Sequence, residues 1–198
     1  SIGYESMNAN TTGTQNVAVG AYALDANTTA GDNTAVGYEA LTNNTTGAQN
    51  TGVGHRSLIS NTTGLAVCAF GVGALTFNST GNYNSAFGRN ALRANTTANE
   101  NTAFGAFALY SNTAAQNVGI GGSALYSNTT GTNNTAVGFR ALMTSTTSVR
   151  HVAVGYNALR LNTTGSDNTA LGYGTLEDNT TGQNNTAVGS QALYNNTT

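Results

Sequence analysis

Asn33-Thr34-Ala35-Val36-Gly37-Tyr38-Glu39-Ala40-Leu41-Thr42-Asn43-Asn44-Thr45-Thr46-Gly47-Ala48-Gln49 is one copy of a unit that recurs along the entire chain. Its opening pentapeptide is matched upstream by Asn16-Val17-Ala18-Val19-Gly20 and downstream by Asn50-Thr51-Gly52-Val53-Gly54, a step of 17 residues each time. The step holds as far as Asn185-Thr186-Ala187-Val188-Gly189 with one exception. Between Asn101 and Asn117 it is 16, because Asn112 to Gln116 holds five residues where other units hold six. A fixed period running end to end is the signature of a stacked-repeat architecture, in which each unit is one coil. We therefore expect an all-β β-solenoid, a parallel β-roll or β-helix of about twelve 17-residue coils, with residues 1–198 forming a single repeat domain. The frame is entered at position 3 and left at position 14, so both ends cut a unit open; the chain is expected to be a segment of a longer fibre.

Numbered from the opening Asn, the consensus is Asn-Thr-Ala-Val-Gly-x-x-Ala-Leu-x-x-Asn-Thr-Thr-Gly-x-x, with Val67 and His151 in place of the first Asn and Ser145 in place of the second. The Thr-Ala-Val step between Asn and Gly reads as a short strand whose side chains alternate between two faces. Position 4 is aliphatic or Phe in every unit and position 9 is Leu in all but the first, where Met7 stands. These two columns are expected to form the core: Val19, Leu24, Val36, Leu41, Phe70, Leu75, Phe87, Leu92, Phe104, Leu109, Val137, Leu142, Val188 and Leu193. A helix is disfavoured, because the 4-to-9 spacing builds no 3.6-residue stripe and Gly, Asn and Thr fill the remainder.

All fourteen charged residues and all nine Tyr fall at positions 6, 7, 10, 11, 16 or 17, which marks those three dipeptides as outward corners. Gly at position 5, invariant from Gly3 to Gly189, points to a positive φ or to a second backbone approaching closely. With coils rising about 4.8 Å each, the stack would extend roughly 55 Å, and like residues would form ladders of Asn and of Phe. Position 3 is Ala, Gly or Ser throughout. Two explanations stand equally: another chain packs there, as in a parallel trimer, or the row faces a turn or the second wall of a flattened roll.

Composition narrows the function. There is no Lys, charged residues make up 7% of the chain and the net charge is −2, which argues against nucleic acid as a partner. No apolar run is long enough for a membrane span. The lone Cys68 reads as a small hydrophobe. No zinc-spaced Cys/His cluster, nucleophile elbow or Ca²⁺-binding repeat is present, and the two histidines, His55 and His151, would lie about 27 Å apart along the stack. We expect no enzymatic activity, no cofactor and no metal.

One motif carries chemistry. Positions 12 to 14 spell the glycosylation acceptor Asn-x-Thr at Asn10, Asn27, Asn44, Asn61, Asn78, Asn95, Asn128, Asn162, Asn179 and Asn196. A sugar coat along one edge is one reading; an Asn ladder with Thr favoured by its β-propensity is the other.

The motif Asn-Thr-Ala-Val-Gly-x-x-Ala-Leu, and in particular Ala35-Val36-Gly37, Ala136-Val137-Gly138 and their equivalents in all twelve units, resembles the head repeats of trimeric autotransporter adhesins. In that family a left-handed parallel β-roll trimerises. The motif is also similar to repeats of phage-type tail fibres; the Asn44-Thr45-Thr46-Gly47 segment makes the present unit longer than the adhesin one. The resemblance implies a stalk at an extracellular, cell or virion surface that associates with itself, as a parallel trimer or by end-to-end or lateral filament contacts, and that meets cell-surface glycans. A structural fibre or adhesin-like stalk is the expected function. An ice-binding solenoid with Thr ladders and a glycan-binding tail fibre are the alternatives.

Overall fold

The computed structural model describes every residue from Ser1 to Thr198. It contains no helix; its regular elements are eleven three-residue strands, one per coil, that pair in parallel. The chain forms two compact units, Ser1–Glu100 and Asn101–Thr198, and each is a parallel β-solenoid. The first holds β1 (Val17–Val19), β2 (Thr34–Val36), β3 (Thr51–Val53), β4 (Cys68–Phe70) and β5 (Ser85–Phe87). The second holds β6 (Thr102–Phe104), β7 (Val118–Ile120), β8 (Thr135–Val137), β9 (Val152–Val154), β10 (Thr169–Leu171) and β11 (Thr186–Val188).

Within each unit the pairing places like on like. Ala35 lies beside Gly52 and Val36 beside Val53, while in the second unit Ala136 lies beside Ala153 and Val137 beside Val154. Outside the strands the coils are tied just as regularly. The Leu24 N–H donates to the Ala40 carbonyl of the next coil (3.0 Å), the Gly37 N–H donates back to Val19 (2.8 Å), and the Ala40 N–H closes a local turn on Gly37 (3.3 Å). A loop that would otherwise leave its backbone groups to water is thereby paired above, below and within.

The interior differs from expectation in one respect. Of the two predicted core columns, the leucines are inside: Leu24, Leu41, Leu75, Leu92, Leu109 and Leu142 are fully buried, and only Leu193, in the last coil, is half exposed. The position-4 column points outward. Val19, Phe70, Phe104 and Val188 are exposed, the last two at 57% and 66%, and Val36, Phe87 and Val137 are partly exposed. The residue that faces in from each strand is the alanine or glycine at position 3, buried in every strand from Ala18 to Ala187.

The reason is space. A β-carbon added to Gly52 would stand 3.2 Å from Leu41 Cγ and 3.1 Å from Ser57 Oγ; one added to Gly119 would stand 3.1 Å from Leu109 Cγ. A coil this narrow admits one leucine against methyl groups from two walls, at positions 3 and 8, and has no room for a valine on the strand. The small row at position 3 therefore faces the opposite wall of its own coil.

Backbone geometry is as repetitive as the packing. Gly at position 5 has φ between 121° and 139° in all twelve units, and a β-carbon on Gly54 would meet the Gly71 carbonyl carbon and oxygen at 2.7 Å. Both explanations of the invariant glycine hold at once. Position 9 is left-handed as well: from Met7 to Leu193 its φ is 50–57°. This conformation costs a non-glycine residue about 1–2 kcal/mol. Burial of the leucine side chain, about 1.5–3 kcal/mol, offsets it, and turning there aims the leucine into the coil.

Candidate functional surfaces and the polar interior

Three features of the repeat present chemistry: the asparagine columns inside, the aromatic corners, and the outward face of the sheet.

Both asparagine columns are interior. In the first unit the position-12 amides form an unbroken chain, each Nδ2 donating to the Oδ1 of the coil before: Asn27 to Asn10 at 2.9 Å, Asn44 to Asn27 at 3.2 Å, and Asn61, Asn78 and Asn95 to their predecessors at 2.8 Å. The second N–H of each goes to the position-15 carbonyl of the same coil, as from Asn44 to Gly47 at 2.8 Å. The position-1 column works differently. Oδ1 of Asn33 accepts from the backbone N–H of Asn50 (3.0 Å), while its Nδ2 donates to the Gly47 carbonyl (3.0 Å). A buried amide costs free energy unless all its partners are supplied, and the repeat supplies them in register.

This arrangement bears on the two readings of the Asn-x-Thr motif. Asn27, Asn44, Asn61, Asn78, Asn95, Asn128, Asn162 and Asn179 are completely buried, and Asn10 and Asn196, in the outermost coils, are partly so. The Nδ2 that a glycan would occupy is bonded into the ladder at each buried site. At the eight buried sites the folded chain does not offer the amide as an acceptor, and the ladder accounts for the asparagine there.

Exceptions to the consensus show what each column needs. Where one residue is missing, Asn112 Nδ2 turns to the Ala114 carbonyl (2.6 Å), while Asn128 Nδ2 reaches Asn112 Oδ1 (2.6 Å) and the Asn117 N–H reaches Asn101 Oδ1 (3.0 Å), so both columns run on from the short unit. Ser145 is too short to continue the position-12 chain; its hydroxyl pairs with that of Ser148, and Asn128 Oδ1 is left without a partner. His151 takes an asparagine's place completely. Its Nδ1 accepts from the Asn168 N–H (3.1 Å), as an Oδ1 would, and its Nε2 donates to the Gly165 carbonyl (2.7 Å), as an Nδ2 would. Those roles fix the neutral tautomer with the proton on Nε2. Burial holds the His151 pKa below its ordinary value, against the raising effect of the Gly165 carbonyl that accepts from Nε2.

At the corners, aromatic side chains meet from coil to coil. Tyr4, Tyr22, Tyr38 and His55 follow one another with ring centroids 5.5, 6.1 and 5.5 Å apart. In the second unit Phe139, Tyr156 and Tyr173 stack at 5.5 and 5.3 Å, with the Arg140 guanidinium 4.9 Å from the Phe139 ring centre. Charged groups also lie at corners and pair along the stack: Arg56 with Glu39 (2.6 Å), Arg150 with Asp167 (2.6 Å) and Arg160 with Glu177 (2.7 Å). Glu177 departs from the outward expectation. It is buried, and both Arg160 and Asn157 donate to its Oε1. His55 stands on a corner against Tyr38 and His151 inside its coil. No helix is long and apolar enough to cross a membrane.

The outward sheet face was not anticipated. Positions 2 and 4 of every strand project from it, so it carries Thr34, Thr51, Cys68 and Ser85 in one row and Val36, Val53, Phe70 and Phe87 in the next within the first unit. Neither row contains a charge in any unit. Phe70 and Phe87 stack in parallel, 5.1 Å between centroids. The restriction of position 3 to Ala, Gly or Ser was the signal available in the sequence, because strand alternation makes a small interior row and a large exterior one inseparable.

Fold and interior together define the chain as a β-solenoid repeat protein with an asparagine-laddered core. No family model, curated protein or solved structure matches it.

Proposed function

We propose that this chain is a non-catalytic structural segment of a fibre or stalk at an extracellular, cell or virion surface, and that copies of it associate in parallel through the outward sheet face. The observation that carries this is the uncharged apolar strip on each unit: a valine, isoleucine, leucine or phenylalanine at position 4 of every coil, partly or largely in solvent. Contiguous apolar surface of this kind on a soluble protein marks an interaction site. Since the strip repeats at the coil spacing, a second copy in axial register matches it row for row. Thr ladders for ice binding find weaker support, because Ala114 interrupts the position-14 column and the position-13 hydroxyls donate to a carbonyl of the next coil, as from Thr45 to Thr62 (3.1 Å). The aromatic corners support glycan binding less still, since stacked rings such as Tyr156 and Tyr173 turn their faces to each other rather than outward.

Sedimentation velocity of the chain between low and high micromolar concentration, with electron microscopy of the same samples, tests the proposal. The wild type is expected to sediment as an oligomer and the pair Val36→Glu with Val137→Glu as a monomer of unchanged circular dichroism. A wild type that stays monomeric at every concentration, or a double variant that associates equally well, would overturn it.

A further inference from the structure

We propose that His151 is an acid-sensitive release point in the second unit: neutral, it closes the asparagine column between the coils of β9 and β10; protonated, it opens that junction. An asparagine at position 1 keeps one acceptor toward the next coil and one donor toward its own, and neither changes with pH. Asn134 and Asn168 do this on either side of His151, their Oδ1 atoms accepting from the N–H groups of His151 and Asn185 at 3.1 and 2.9 Å. Imidazole meets the same demand only while Nδ1 is a bare lone pair. A second proton at Nδ1 would point directly at the Asn168 N–H, replacing a hydrogen bond by two donors face to face and placing a cation in a site 1% exposed.

The surroundings offer that cation little. Asn162 Nδ2 lies 3.1 Å from Nε2, and both donate to the Gly165 carbonyl. The coil before presents Asn133 and Asn134, which are uncharged. From position 17 of the same unit, Asp167 favours the charged form, but Arg150 already holds it through bonds of 2.6 and 2.8 Å. One of the polar columns is also broken nearby: Ser145 interrupts it a few residues earlier, and Asn128 Oδ1 has no partner. An opening that starts at His151 therefore meets only the position-1 column, through Asn134, on that side.

The sign follows from linkage. Unfolded, the imidazole binds a proton below about pH 6.5; folded, burial keeps it neutral to lower pH. The contribution is full above about pH 6.5 and is lost as the pH falls toward the folded pKa. Within that interval the equilibrium for opening the junction grows by up to about tenfold per pH unit.

The test uses the full chain with native-state hydrogen exchange between pH 8 and pH 5, after correction for the intrinsic pH dependence of exchange. In the wild type the Asn168 amide is expected to lose protection by about tenfold per unit below pH 6.5, while the Asn50 amide, held by Asn33 Oδ1, does not. His151→Asn restores the consensus residue and should abolish the loss; His55→Asn should leave it unchanged. An Asn168 amide whose protection is flat with pH in the wild type, or a His151→Asn chain that still loses it, would overturn the proposal. If the variant chain fails to fold, the ¹⁵N shifts of the His151 ring in the wild type decide the matter: Nε2-protonated and neutral at pH 6 supports the proposal, doubly protonated there with Asn168 still protected refutes it.

Discussion

At the scale of single residues, the repeat separates side chains that look alike in sequence. Leu58 and Val53 are both aliphatic and five positions apart, yet one is fully buried and the other stands partly in solvent. Leu58→Ala should therefore destabilise by about 2–5 kcal/mol, and Val53→Ala by less than about 1 kcal/mol, both read from urea denaturation of the monomeric chain. Equal losses would mean that the strand faces have been exchanged. Asn61 makes three buried side-chain bonds, to Asn44, to the Gly64 carbonyl and from Asn78. Asn61→Ala should lower stability by about 2–4 kcal/mol, since it also strands its neighbours' polar atoms. Backbone sign matters too. Gln49 is exposed and left-handed at φ 60°, so Gln49→Gly should raise the thermal midpoint, whereas Gly54→Ala, at φ 129° against the Gly71 carbonyl, should lower it sharply.

At the scale of the element, much was legible beforehand. The Asn-Thr-Ala-Val-Gly pentapeptide located all eleven strands, and the period of 17 gave their register, because a parallel stack of identical units pairs each residue with its own equivalent. The position-9 leucines were placed correctly for the same reason that any invariant large aliphatic is. What period alone does not reveal is which side of a three-residue strand turns inward. Alternation is symmetric, and hydrophobicity favoured the valine over the alanine; the narrowness of the coil, visible only once Leu41 and Ser57 are seen beside Gly52, reverses that choice. The Asn-x-Thr motif was misleading in a related way. Asparagine reads as a surface residue until neighbouring amides are present to satisfy it, and only stacking brings Asn44 and Asn61 within 2.8 Å. His151 was visible as a substitution in the asparagine column, but its function as an amide substitute needed the positions of Asn168 and Gly165.

At the scale of the whole molecule, each unit is assembled from contacts between adjacent coils, so its length is adjustable in steps of one repeat. Removing residues 50–66 deletes one full period from the first unit and leaves the Val67 N–H opposite Asn33 Oδ1, the acceptor it would have met in Asn50. That deletion should retain the β-type circular dichroism and cooperative melting of the parent, with a modestly lower midpoint. Removing nine residues from the same stretch should abolish both, because every interior column would then meet the wrong partner.

The backbone hydrogen bonds that join coils span 15 to 18 residues, as Thr102 to Asn117, Leu24 to Ala40, Thr45 to Thr62 and Gly37 to Val19 illustrate. Ordinary β-proteins fold slowly because distant segments must find one another before any reward arrives. Here the search distance is about one-twelfth of the chain length, a ratio more usual in helical bundles, and lengthening the chain does not enlarge it. Once a first pair of coils has formed, the remainder winds on like thread onto a spool, each new turn finding its template already in place.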